Sequence, residues 1–75
     1  MVLALTQREE QILQLIADGF TNREISRYLS ISESTVENHI HHVYDKLGIS
    51  RRAQAVAYAF RIRVIQFNEM LQNRR

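Results

Sequence analysis

Thr6 with Glu9, and Thr21 with Glu24, repeat one spacing twice near the start of the chain. In that spacing a threonine hydroxyl takes an orphan amide of the helix it opens, and the glutamate three residues on reaches back to the cap. A chain that starts a helix twice in so short a space folds into short helices, and Gly19 supplies a left-handed stop for the first. Ile12, Leu13, Ile16 and Ala17 recur on one face and predict helix 1 over about residues 7–18. Ile25, Tyr28 and Leu29 give a short stripe to helix 2, about 22–29. Ser32 is placed to cap helix 3, about 33–47, which carries Val36, Ile40, Val43 and Leu47 along its inner side and ends at Gly48. Ile49 and Ser50 lead into helix 4, about 51–72. Strand-like alternation over four or more residues is hard to find. The fold class is therefore all-α, with four helices in a single domain over residues 1–75.

Size and composition narrow the function. A chain of 75 residues buries only about 60 to 65% of the surface its unfolded form exposes, so its core is thin. With no cysteine and no proline, a disulfide-stapled module and a cysteine-ligated zinc domain are excluded. No apolar run approaches the roughly 20 residues needed to cross a bilayer, and the start MVLALTQREE breaks into charge too early for a secretory signal. A cytoplasmic protein with no membrane partner is expected. There is no cysteine nucleophile, no glycine-rich phosphate loop and too little chain to hold paired carboxylates in a dry cleft, so neither an enzyme nor a cofactor is expected. The formal charge of +2 is unevenly placed. Residues 1–48 set Arg8, Arg23, Arg27 and Lys46 against Glu9, Glu10, Asp18, Glu24, Glu33, Glu37 and Asp45, net −3, while residues 49–75 set six arginines against Glu69, net +5.

Helices 2 and 3, separated by Ser30, Ile31 and Ser32, have the dimensions of a helix-turn-helix. Ile25, Leu29, Ile31 and Val36 must be apolar for the two to grip each other and helix 1, and Ser26 is small where they cross. Ser30 stands where such turns often carry glycine. With Val36 and Ile40 inward, the 100° step puts Ser34, Glu37, Asn38, His41, His42 and Asp45 on the outer side of helix 3. A short polar face of this kind suits a major groove, where asparagine can pair with adenine and serine, threonine or histidine can reach base edges or phosphates.

Residues 5–59 resemble the LuxR/FixJ (GerE-like) family of bacterial transcription factors. The resemblance rests on LTxREExxL in helix 1, GxTNxEIxxxLxIS across the turn, STVxxHxxxxxxKLGI, and RxQAV at the start of helix 4. It implies a four-helix domain that binds double-stranded DNA and is usually the output end of a longer regulator with an N-terminal regulatory domain. It further implies a homodimer through helix 4 and contact with RNA polymerase. Carried over residue by residue, it places Ser34, Glu37, Asn38 and His41 at base edges. Thr21, Asn22 and Arg23 at the start of helix 2 then meet phosphate, as do Thr35, His42 and Arg52. Glu37 departs from the pattern, standing where a lysine or arginine is common. A carboxylate accepts from cytosine N4 but costs electrostatic energy beside phosphates. Ser50 replaces another basic residue, and His39 matches a histidine that packs beneath helix 2.

Other readings compete with these. His39 and His42 lie one turn apart in HIHH, but two ligands without a third make a poor metal site, and no metal is expected. Helix 4 is apolar on two faces. The stripe Ala53, Val56, Ala57, Phe60, Val64, Phe67 and Leu71 is expected to face the other helices at its start and to continue well past the point where they cover it. Tyr58, Ile62 and Ile65 then either fold back over helix 1 or pair with a second copy, and the dimer is favoured because one side suffices for so small a domain. Phe67, Met70 and Leu71 run past the family's usual helix and cover either the dimer seam or a missing domain. Arg74 and Arg75 are expected to form a frayed end. Two other functions remain open. A sigma-factor-like promoter-reading domain shares the LTxREE and TVxxH helices, although the long helix 4 argues against it. A protein-interaction module that retains the helix-turn-helix shape would account for the acidic body.

Overall fold

A computed structural model describes residues 5–72; Arg74 and Arg75 lie outside the described residues. Four helices follow in order, α1 (Gln7–Ala17), α2 (Asn22–Leu29), α3 (Glu33–Leu47) and α4 (Arg52–Gln72). Both capping boxes form. Thr6 Oγ1 accepts from the Glu9 amide at 3.1 Å while Glu9 Oε1 accepts from the Thr6 amide at 2.8 Å, and Thr21 and Glu24 repeat the pair at 3.1 and 2.8 Å. Ser32 accepts from the Thr35 amide at 3.1 Å to open α3. At α4 the cap is a glutamine, since Gln54 Oε1 takes both the Ser50 and the Arg51 amides at 2.9 Å.

The first three helices stop in the same way. Gly19, Ser30 and Gly48 take positive φ, and the next residue, Phe20, Ile31 or Ile49, donates its amide back to Leu15, Ser26 or Tyr44 at 3.0 Å. This is the Schellman arrangement, in which the left-handed residue turns the chain and its apolar successor folds inward. Phe20, Ile31 and Ile49 all pack against the core. Each stop therefore also adds to the core of a chain with little apolar surface to spare.

The core runs through Ile12, Leu13, Leu15 and Ile16 of α1, Ile25 of α2, Val36, Ile40 and Val43 of α3, and Ala55 and Ala59 of α4. α1 is central, packing on both α3 and α4, while α2 packs on α3. Ser26 is buried between the helices, where its hydroxyl donates to the Arg23 carbonyl at 2.7 Å.

Two sequence expectations are corrected. Tyr28 is exposed, not inward, and touches the Phe20 ring edge-on at a centroid distance of 5.8 Å. In α4 the expected inward start of the stripe is turned outward: Ala53, Ala57, Phe60 and Val64 are exposed, and only Val56 of that set lies against the core, while Phe67 and Leu71, expected to run past the cover of the other helices, are exposed as well. The buried positions are Ala55 and Ala59. A methyl group is all that fits where α4 crosses close to α1, so the larger side chains are left on the far side. Arg63 fastens the same crossing. Its Nε donates to Gln14 Oε1, and Nη2 reaches the Gln14 carbonyl at 3.3 Å and the Asp18 carboxylate at 2.8 Å. The Arg63 guanidinium also lies 5.3 Å from the centre of the Phe60 ring, a cation–π contact.

Candidate nucleic-acid interface

α3 is fixed from its inner side. Val36 and Val43 are fully buried and Ile40 nearly so, which sets the rotation of the helix about its axis. Ser34, Glu37, Asn38, His41, His42 and Asp45 are consequently all exposed, as expected from the sequence. His39 is half-buried at the edge of this face. Three hydroxyls gather at the amino end of the helix, with Ser32 Oγ 2.8 Å from Thr35 Oγ1 and 3.1 Å from Ser34 Oγ. Thr35 is half-buried and bonded to the cap, so Ser34 presents the freer hydroxyl.

The opening of α2 is arranged differently. Thr21 and Arg23 are exposed, and the Thr21 hydroxyl, which accepts from the Glu24 amide, keeps its own proton for donation. Glu24 adds a negative charge to this helix end. Its carboxyl is held below the usual range by the Thr21 backbone amide and then by the Thr21 side chain. Asn22 is half-buried. Its Oδ1 accepts from Arg52 Nη1 at 2.8 Å, which leaves the amide nitrogen to donate elsewhere. Arg52 Nη2 also donates to the Phe20 carbonyl. Two residues expected at phosphate are thus bonded to each other, and they tie the first turn of α4 to the start of α2.

Sequence reasoning missed the ion pair of Glu9 with Lys46, 2.7 Å apart. Glu9 is buried, and its carboxyl is held below the ordinary range by the Lys46 hydrogen bond first and the Thr6 amide second. The signal in the sequence was a glutamate beside an apolar stripe with one lysine in the last turn of α3, and nothing local joins them. Of the residues expected at a dimer contact, Tyr58 packs against the chain's own core, Ile62 is half-buried and Ile65 is exposed. Among the described residues no three histidine, cysteine, aspartate or glutamate side chains come together to hold a metal ion, and no helix is long and apolar enough to cross a membrane.

A short helix, a three-residue turn and a longer helix with a polar outer face, braced by α1 and α4, define a helix-turn-helix domain of the DNA-binding, transcription-regulating kind. Residues 3–59 match the bacterial regulatory proteins of the luxR family, and the chain belongs to that family. It is 48% identical over 54 residues to the probable transcriptional regulatory protein SgaR of Hyphomicrobium methylovorum, covering 72% of this chain and 26% of that protein. It is 45% identical over 62 residues to the response regulator VraR of Staphylococcus aureus, covering 83% of this chain and 30% of the relative. The crystal structure of the response regulator ChrA, from a heme-sensing two-component system, superposes with a TM-score of 0.75 at 43% identity, over 81% of this chain and 30% of that one. The chain therefore spans between a quarter and a third of the length of these relatives.

Proposed function

We propose that this domain reads double-stranded DNA with α3 in the major groove. Ser34, Glu37, Asn38 and His41 meet base edges, and Thr21, Asn22, Arg23, Thr35, His42 and Arg52 face phosphates. The observation that carries this reading is the division of α3, with Val36, Ile40 and Val43 clamped inward and every base-reading candidate exposed on the other side. Helix amino ends favour anions. Those of α2 and α3 carry hydroxyls that strengthen this. α4 joins two copies for binding at adjacent half-sites. The domain works within a longer regulator in which a further domain controls it, a reading the greater length of SgaR and VraR supports, and the DNA-bound form touches RNA polymerase.

Titrating salt against duplex affinity tests the reading. Each neutralised phosphate contributes a slope of about −0.9 in log affinity against log salt. A slope of several units is expected, with a selected site bound more tightly than random duplex. Affinity that stays flat as salt rises removes the phosphate contacts and leaves a protein-interaction module.

A further inference from the structure

Arg52 grips the start of α2 on both sides of its cap. Nη1 donates to Asn22 Oδ1 at 2.8 Å, and Nη2 donates to the carbonyl of Phe20, so the two bonds flank Thr21. A guanidinium carries donors and no acceptor. The oxygen of the Asn22 amide must therefore turn toward Arg52, and its NH2 must turn away. The two ends of a primary amide are nearly alike in size, so packing alone does not choose between them. Among the described residues Asn22 Nδ2 has no hydrogen-bond partner. No buried side-chain nitrogen or oxygen among them is left unpaired, so this nitrogen, on a half-buried residue, reaches solvent. It does so at the opening of α2, where the first backbone amides lack a carbonyl one turn back. Turned the other way, Oδ1 would add an acceptor to an end that already holds the Glu24 carboxylate.

We propose that Arg52 is a positioning residue, which fixes the Asn22 amide with its NH2 outward so that Asn22 delivers a hydrogen bond to a phosphate of the DNA backbone. This rests on the reading of the α2 opening as a phosphate contact, and it gives the two residues different parts in that contact. Arg52 serves the phosphate through Asn22, since two of its donors are spent inside the domain and its side chain is half-buried. A donor held in place before the phosphate arrives needs no reorientation on binding, which is where preorganised groups gain affinity. Asn22 and Arg52 are 30 residues apart, so the orientation exists only once the first turn of α4 has docked on α2.

A double-mutant cycle of Asn22→Ala and Arg52→Met tests this, with Asn22→Asp beside it. Duplex affinity at fixed salt is read by fluorescence anisotropy, and circular dichroism melting checks that each variant is folded at the assay temperature. Each single substitution is expected to weaken binding about threefold to tenfold. The double variant should bind within twofold of Asn22→Ala alone, because Arg52 then has no amide to orient. Asn22→Asp keeps the bond to Arg52 as an ion pair and places an acid in the first turn of α2, so its melting temperature should hold or rise. It lacks the donor, however, and its affinity should fall at least as far as that of Asn22→Ala. A loss from Arg52→Met that persists on the Asn22→Ala background overturns the proposal, since Arg52 then acts by itself as a phosphate ligand or a brace for α4. Undiminished affinity in Asn22→Ala or Asn22→Asp overturns it too, and the Asn22→Asp result decides alone if Arg52→Met does not fold. In all these cases the unaltered chain still binds duplex and the DNA reading stands. An unaltered chain that binds no duplex at any salt concentration removes that reading, and the part given to Asn22 goes with it.

Discussion

Glu9 and Lys46 meet at 2.7 Å, joining the first turn of α1 to the last turn of α3. The same Glu9 oxygen accepts the Thr6 amide, so the cap of one helix and the placement of the proposed recognition helix share a single carboxylate. Lys46 also stands where a cation opposes the negative end of the α3 dipole. The pair thus holds α3 at its carboxyl end while Val36 and Ile40 hold it nearer its amino end.

Lys46→Met is expected to cost about 1 to 3 kcal/mol near neutral pH, since it leaves a buried carboxylate short of a charged partner. The pH dependence has a definite sign. Glu9 titrates below its ordinary value of 4.5 in the folded state, so the stability it contributes is complete well above that value and is lost as pH falls through the depressed one. Urea unfolding of both proteins should show a gap at pH 7 that narrows as pH falls below the ordinary carboxylate value of 4.5. A gap unchanged by acid would show that Lys46 acts by packing alone.

Ser30→Gly is expected to stabilise the domain. Ser30 sits at φ 57° and ψ 44°, where a side chain costs about 1 to 2 kcal/mol that glycine avoids. The greater freedom of glycine in the unfolded chain takes back part of this. A net gain of about 0.5 to 1 kcal/mol follows, or a rise in melting temperature of about 2 to 8 °C for a domain this size. A fall in melting temperature would mean that the Ser30 side chain makes an interaction worth more than the strain.

The features legible in the sequence are those fixed within a few residues. Thr6 and Glu9, Thr21 and Glu24, and the stops at Gly19 and Gly48 are local bonds that need no tertiary context, and the four helices follow from them. The outer face of α3 was legible because three apolar residues on one side settle its rotation. α4 was not, because a helix apolar on two sides offers no sequence signal for which side faces inward. That choice depends on how closely α1 approaches, and the close approach selects Ala55 and Ala59 over Phe60 and Val64. Glu9 with Lys46, 37 residues apart, and Arg52 with Asn22, 30 apart, are likewise visible only once the chain is folded. Arg52 and Asn22 show the effect on the candidate site, since each looked like a phosphate ligand and each is bonded to the other.

Asn38→Ala tests base reading. Asn38 is exposed on α3, so truncation should leave the melting temperature within about 2 °C. A bidentate pair with adenine carries about 1 to 3 kcal/mol of discrimination. The variant should lose that on the selected site and much less on random duplex. Equal losses on both, measured by fluorescence anisotropy at fixed salt, would place Asn38 at phosphate or away from DNA.

Glu37→Gln tests what a carboxylate does on a face turned toward a polyanion. Glu37 is exposed among Ser34, Asn38 and His41, and Glu33 and Asp45 add two more acids to the exposed surface of α3. Near phosphates such a charge opposes binding to every sequence, by an amount that salt screens. Glutamine keeps the shape and an acceptor oxygen but removes the charge. Affinity for random duplex should therefore rise about twofold to fivefold at low salt, a change of about 0.4 to 1 kcal/mol, and the gain should shrink as salt is added. On the selected site the outcome depends on the base opposite. If Glu37 accepts from cytosine N4, glutamine is the weaker acceptor, and the ratio of selected to random affinity falls even as random binding rises. Binding to both duplexes that is unchanged at every salt concentration would put Glu37 outside the groove, and α3 would then have to enter it by a different face.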